Sequence, residues 1–320
     1  MARKLQFYFE QPHTEWFLCH FFKAVSDSLV EDNKDIEFEF FNSGSLSPNS
    51  RDPNTINSAH MMTIKNPENN KYIVTSFWDK NIILFNKHIW DIDNCVQVIT
   101  SSGLNRQEFE NNKTHRDPHM VYPDFDYIYT PFTYNVYSLR VARLIEEVFS
   151  NRSYDNLKNE TVFRGYLYME RKFLNDVFTN NEQIKVLDRI EDVDYLIEQT
   201  NNICALSLNG AGEICNRDIE LFGIGMPVMR LDLNVEFQNK LIPDYHYISL
   251  GKCGFEHSRT LIDYNELKDR IVEKYNYILK NKEEATQIGQ NARKWYLENC
   301  TLDSMVKLFK SIVKLERLFE

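Results

Sequence analysis

The chain lacks most of the features that mark the easily assigned classes of protein. No stretch approaches the roughly 20 apolar residues that a membrane-spanning helix needs. The opening Met1–Glu10 places a few charges before a short strand-like run. It has neither the apolar stretch nor the small-residue cleavage site of a secretory signal, so the expected location is the cytoplasm. Six cysteines (Cys19, Cys95, Cys204, Cys215, Cys253 and Cys300) lie far apart with no C-x-x-C pair, which argues against a zinc ribbon or a disulfide scaffold and for free thiols. Asn-x-Ser/Thr sequons such as Asn159-Glu-Thr161 are then accidental. Ten glycines and nine prolines in 320 residues are too few for a fibrous repeat or a Pro/Gly-rich disordered chain. There is no basic surplus either. Net charge is −10, and the lysines and arginines of the C-terminal helices alternate with glutamates as on a solvated face, so no nucleic-acid partner is expected.

What is present suits packed interiors. An apolar share of 42% with 13% aromatics, spread over 320 residues, exceeds what one small core requires and fits two α/β domains. Short apolar runs at Leu5–Glu10, Ile36–Phe41, Tyr72–Phe77, Val96–Thr100 and Tyr127–Pro131 read as strands covered on both faces. The three- and four-residue spacings in Thr14–Val30 predict a helix between the first two, a β-α-β opening. Asn42–Asn70 and Ser101–Asp126 read as long irregular loops. The amphipathic Asn135–Phe149 closes a first domain, residues 1–150, and a polar linker leads to a second, residues 151–320. There, strands at Thr161–Leu167, Lys185–Leu187, Ile203–Leu208, Pro227–Leu231 and Tyr245–Leu250 alternate with helices at Arg171–Phe178, Asp192–Gln199 and Asn216–Gly223, before a helix-rich tail from Tyr264 onward.

The stretch from Leu206 to Arg230 carries the chemistry. A buried strand runs into the turn Asn209-Gly210-Ala211-Gly212, a helix follows, and Gly225-Met-Pro227 leads to another strand. A turn entering a helix offers unpaired backbone N–H groups and a positive dipole end to a diphosphate. Arg217 adds a guanidinium fork, and Glu220, one turn on, can accept from ribose hydroxyls. The plainer alternative is that Gly210 and Gly212 only turn the chain, and that Arg217 pairs with Asp218 or Glu220 at the surface.

Asn209–Arg230, followed by Val235–Leu250 with Glu236-Phe237, Leu241, Pro243, His246 and Tyr247, resembles glycosyltransferase family 90, which includes fungal capsule-associated transferases and animal protein O-glucosyltransferases. Phe163-Arg-Gly-Tyr-Leu-Tyr-Met-Glu-Arg171 is similar to that family's "FRG…ER" element, from which Arg164 and Arg171 carry over as nucleotide-sugar contacts. Tyr166, Leu167 and Tyr168 replace the hydroxyl residues usual between them. Ile73-Val-Thr-Ser-Phe-Trp-Asp79 resembles the strand that bears the family's catalytic aspartate, although the family order is Arg-Asp-Trp. The resemblance covers the C-terminal half and, in the N-terminal half, that strand alone. It implies a GT-B type α/β fold, two Rossmann-like domains facing a central cleft, and an enzyme that transfers xylose or glucose from a UDP-sugar. The tyrosines of Tyr166–Tyr168 lean the reading toward a pentose. A composition rich in Asn, Lys and Ile fits a bacterial or large-virus member that builds glycans outside the secretory pathway.

An inverting transferase needs a base for the acceptor hydroxyl and donors for the leaving diphosphate. Asp79 is the first candidate base, with His13 and Glu15 as the alternative pair. Arg217, Arg164 and the Gly210–Gly212 turn supply the donors, so no metal is required, and Asp91-Ile-Asp93 reads as a solvated turn rather than a metal clamp. His115 and His119 lack a third ligand at natural spacing. His246, between aromatics in a strand, reads as a packed histidine. The acceptor is a glycan or glycoprotein hydroxyl that meets the two long loops. A Rossmann oxidoreductase is excluded because Gln11-Pro-His13, not a glycine fingerprint, follows the first strand. A non-catalytic nucleotide-sugar- or glycan-binding protein of the same fold is the competing expectation.

Overall fold

The computed structural model describes residues 3–9, 15–42, 61–77, 85–86, 92–100, 110, 120–121, 124–136, 138–167, 170–210, 212–256 and 259–320. The chain forms two compact units. Met1–Ser138, Val235–Asn239 and Leu302–Glu320 make the first, and Leu139–Asn234 with Lys240–Thr301 make the second.

The first unit opens as expected. Strands β1 (Arg3–Phe9) and β2 (Ile36–Asn42) pair in parallel around the helix Phe17–Asp32. That helix buries Phe17, Leu18, Phe21, Phe22, Val25 and Leu29, a stripe at the three- and four-residue spacing of one helical face. The expected irregular loop Asn42–Asn70 holds a strand, β3 (Met61–Lys65), antiparallel to both β1 and β4 (Tyr72–Ser76). Its Met-Met-Thr-Ile core was hidden beside a Ser/Asn/Pro-rich stretch. A small pair, β5 (Phe85–Asn86) with β7 (Met120–Val121), stands apart. Strands β6 (Cys95–Thr100) and β8 (Tyr129–Pro131) complete a six-stranded sheet of order β2-β1-β3-β4-β6-β8. Every residue of β4 and β6 is buried, as in a sheet covered on both faces. Phe21, Phe22, Phe77, Phe132 and Phe309 pack with ring centroids 5.5 to 5.9 Å apart.

The last segment of the chain belongs to this unit because buried polar groups stitch it there. The Gln97 side chain on β6 donates to Ile312 O (2.8 Å) and accepts from Lys314 N–H (2.9 Å). Asn66 Nδ2 donates to Leu318 O at 2.8 Å. Arg317 Nη1 reaches the carbonyls of Val96 and Tyr127. Where sequence suggests a single cut after residue 150, contacts return Leu302–Glu320 to the first unit and group the helix Leu139–Ser150 with the second. That helix buries Val141, Ile145 and Val148, and its Glu146 pairs with Arg293 of the second unit.

The second unit is a five-stranded, all-parallel sheet: β9 (Lys158–Arg164), β10 (Ile184–Leu187), β11 (Asn202–Leu206), β12 (Val228–Arg230) and β13 (Ile248–Ser249), in the order β10-β9-β11-β12-β13. A hairpin, β14 (Gly254–Glu256) with β15 (Arg259–Leu261), follows. The chain therefore winds first to one side of β9 and then to the other, so the strand order reverses between β9 and β11. In open parallel sheets the crevice outside the carboxyl ends at such a reversal is where ligands bind. The two α/β units are of the kind expected of a GT-B protein.

The expected strand Tyr245–Leu250 is only Ile248–Ser249. His246 instead lies in a turn, where its Nδ1 accepts from Ile242 N–H at 2.8 Å and burial lowers its pKa. It is packed, as expected, but not in a strand. The six cysteines are free thiols. Among the described residues no helix is long and apolar enough to cross a membrane, and no group of three or more His, Cys, Asp or Glu could hold a metal ion.

The helix Asn216–Gly223 ends in a Schellman turn: Met226 N–H reaches Leu221 O and Gly225 N–H reaches Phe222 O, each at 2.9 Å, with Gly225 at φ 69°. Gly289, on the helix Lys282–Asn299, packs on this turn so closely that a Cβ would lie 2.4 Å from Gly225 O. At an open helical site Gly→Ala stabilises by about 1 kcal/mol. Here Gly289→Ala should destabilise by about 1–3 kcal/mol through overpacking, read as a lower urea midpoint at unchanged slope.

Candidate functional site

The site is assembled at the carboxyl ends of β9 and β11. Strand β9 ends at Phe163-Arg164, and its next residue, Gly165, leaves room for a guanidinium: a Cβ there would lie 2.7 Å from Arg217 Nη2. Arg217 enters from the first turn of the helix Asn216–Gly223. Its Nε donates to Arg164 O at 3.0 Å and its Nη1 to Leu208 O at 3.4 Å, with the guanidinium carbon 4.3 Å from the Phe163 ring centroid. Arg217 makes no ion pair with Asp218 or Glu220, so the surface-pair alternative does not hold. Asp218 pairs with Arg230 instead, at 2.9 Å with both side chains 2% exposed.

Arg171 approaches the same turn from the start of the helix Glu170–Phe178. It is buried, 5.0 Å from the Phe163 centroid, and Nη2 donates to the carbonyls of Leu208 (3.1 Å) and Asn209 (2.5 Å). Two guanidiniums thus hold the carbonyl side of the turn that leaves β11. Across a planar trans peptide the N–H points opposite to the C=O, so Asn209 and Gly210 turn their amides away from these arginines. Gly210 N–H closes onto Gly212 O at 3.0 Å, which supports its role as a turn residue. The Asn209 side chain donates to Thr260 Oγ1 (3.2 Å), which lies 3.3 Å from Glu170 Oε1, where burial raises the carboxyl pKa.

The remaining expected residues are placed as follows. Arg164 contributes its carbonyl, while its guanidinium forks onto Glu198 (2.8 and 2.9 Å) and reaches Asp188 O. Gly212 is buried. Beyond it, Glu213 accepts from Asn234 N–H at 2.6 Å, and its carbonyl accepts from Arg230 Nη2 at 2.6 Å. Asp218 Oδ2 accepts from Cys215 N–H at 2.8 Å, fixing the helix start. Burial pushes the Cys215 thiol up to about 11. Burial also pushes the Glu220 carboxyl up to about 7, against the pull of Arg217. Asp79, His13 and Ala211 lie outside the described residues, as do His115, His119 and Tyr168. Glu15 lies at the bend before the helix Phe17–Asp32. The sequence reading did not assign Phe163, Gly165, Glu170, Thr260 or the buried Arg230–Asp218 pair. Of these only Phe163, Gly165 and Glu170 gave a signal, as members of the quoted "FRG…ER" element.

No protein-family model matches the chain, and no curated protein matches it. The resemblance to glycosyltransferase family 90 thus rests on its motif residues. Among solved structures the chain is similar to an alpha-glucosyltransferase in complex with UDP and a 13-mer DNA containing a HMU base, at 10% identity and a TM-score of 0.46 over 100% of both chains. It is also similar to a glycosyltransferase from Rickettsia africae, at 15% identity and a TM-score of 0.33, over 72% of this chain and 59% of that one. Identity at these levels assigns the chain to no family.

The Glu220 shift has a testable sign. Below about pH 4.5 the carboxyl is protonated in folded and unfolded chains alike and makes no difference to stability. As pH rises toward 7 the unfolded chain releases its proton first, so stability falls, and the full loss is reached above the folded value. Glu220→Gln should therefore raise stability by about 1–3 kcal/mol at pH 8 and leave it unchanged at pH 4. Thermal melts at the two pH values check this.

Proposed function

We propose that the protein is a glycosyltransferase that moves a sugar from a UDP-sugar to a hydroxyl of a glycan or protein acceptor. One observation carries the reading. At the strand-order reversal of an all-parallel sheet, the Arg217 guanidinium bridges the ends of β9 and β11, through Arg164 O and Leu208 O, and its Nη2 has no protein acceptor among the described residues. This is where a doubly wound sheet receives a ligand, and a guanidinium at a helix start suits a pyrophosphate.

In this reading Arg217, at the start of its helix, stabilises the diphosphate as it leaves. Arg171 and the Arg164 carbonyl hold that machinery in place. Glu220 accepts from the ribose hydroxyls. The chemistry is inverting and metal-independent, with Asp79 as the base and His13, beside Glu15, as its alternative. Residues up to about 150 would provide most of the acceptor side and residues from about 151 most of the donor side. The sugar is xylose or glucose, and the setting is cytoplasmic glycan biosynthesis.

Thermal shift against UDP, GDP and their sugars tests the donor, since a ligand bound only by the native state raises apparent stability. A selective rise with one UDP-sugar is expected. Arg217→Ala should weaken UDP binding about ten- to hundredfold, the worth of a charge-assisted hydrogen bond. Gly165→Ala should act in the same direction by displacing the guanidinium. Asp79→Ala should leave UDP binding intact and lower transfer by about 10²-fold or more, with glycan, protein and HMU-containing DNA offered as acceptors. Binding without turnover in the parent would instead identify a non-catalytic sugar-nucleotide module. A parent blind to every uridine nucleotide overturns the reading.

A further inference from the structure

At the opposite, amino-terminal edge of the same sheet the second unit has a cavity of about 450 Å³. Asn156 and Leu157, just before β9, and Ile203, the second residue of β11, form its sheet side. The first turns of the helix Lys282–Asn299 form the other. It lies a strand's length from the Arg217 site, since β9 and β11 run in parallel.

Three features of the lining define what it would hold. Tyr154 stands at the cavity, 39% exposed, with the Arg152 guanidinium carbon 4.5 Å from its ring centroid. Arg152 is itself anchored on the carbonyls of Ile224 and Gly225, so the ring has a fixed cation against one face. Next, hydrogen-bonding capacity is left over. The solvent-exposed side chains of Asn156, Glu283 and Gln290 line the cavity without a protein hydrogen bond among the described residues and so are open to a ligand, whereas Lys282 Nζ is taken by Asn159 Oδ1 at 3.0 Å. Finally, Lys282 and Glu283 cancel in charge, so the lining selects for neither an anion nor a cation. An exposed aromatic ring beside uncommitted amides and one carboxylate, in a neutral polar recess, matches a ligand that is apolar on one face and hydroxyl-rich at its edge.

We infer that this recess is a binding site for a neutral carbohydrate chain, separate from the Arg217 site. Tyr154 packs against the C–H face of a pyranose ring, and Asn156, Gln290 and Glu283 meet its hydroxyls. Such a site would hold a glycan to the protein independently of any nucleotide.

The test is isothermal titration of the full chain with maltohexaose, cellohexaose, xylohexaose and chitohexaose. At least one should bind at millimolar or lower concentration. Tyr154→Ala and Gln290→Ala should each weaken that binding about tenfold or more, while Tyr154→Phe retains it. Both positions are at the surface, and an unchanged melting temperature certifies each variant. Arg217→Ala should leave the oligosaccharide affinity untouched, so this inference and the proposed donor site fail independently. Binding of none of the four sugars overturns the assignment, as does an affinity that Tyr154→Ala and Gln290→Ala leave unchanged.

Discussion

The Leu208 carbonyl is the point on which the site depends. Arg171 and Arg217 arrive from two different helices, and both donate to this oxygen while lying over the Phe163 ring. A buried guanidinium requires acceptors or a π face to replace water. Here they include backbone, ring and, for Arg217, the Cys215 sulfur, and Arg217 makes no carboxylate ion pair among the described residues. The charge of Arg217 is therefore held in place without being cancelled, which distinguishes it from Arg164, whose fork closes on Glu198. Gly165 completes the arrangement by giving Nη2 its space.

Behind this stands a second, buried set of charged groups. Arg230 is 1% exposed and is shared among Asp218, Glu213 O and Leu231 O, while Glu213 binds Asn234. A buried ion pair of this kind adds little net stability, because desolvation offsets the attraction. Its effect is geometric. Asp218 caps the helix start through Cys215 N–H and pairs with Arg230, so both interactions favour the observed start of the helix that carries Arg217. The outward turn and its arginine inherit their positions from β12, two strands' width from β9.

Much of the fold was legible because strand and helix periods are local. The parallel strands of the second unit read as continuous apolar runs, and the helix Asn216–Gly223 was placed to the residue, since the Schellman glycine and the capping acid both lie in the sequence. Strand β3 was missed because Met61–Lys65 sits at the end of a polar stretch and pairs antiparallel with neighbours already assigned. The return of Leu302–Glu320 to the first unit was illegible for another reason. Gln97 and Asn66 each meet that segment more than 200 residues away, and no pattern within a window encodes such a contact. At the site, Asn209 and Arg217 stood out by type and spacing, and Arg171 through the resemblance of its motif. Thr260, 51 residues from Asn209 in sequence, carried no signal at all.

The sequence did not show how each arginine is used, and that difference governs what chemistry is available. Arg164, Arg171, Arg217 and Arg230 look alike in a motif. In the structure one is forked onto Glu198, one holds the turn's carbonyls, one is enclosed with Asp218, and one bridges two strand ends with a nitrogen to spare. An anion entering the carboxyl edge gains most from the last, because the others already satisfy buried groups whose loss would have to be made good. Burial then sets the limit on that gain. Removing bulk water from around Arg217 strengthens its field, but the same dryness pushes the Glu220 carboxyl up to about 7. The positive character of the edge is therefore greatest where Glu220 is protonated, and weakens as the carboxylate forms beside the guanidinium.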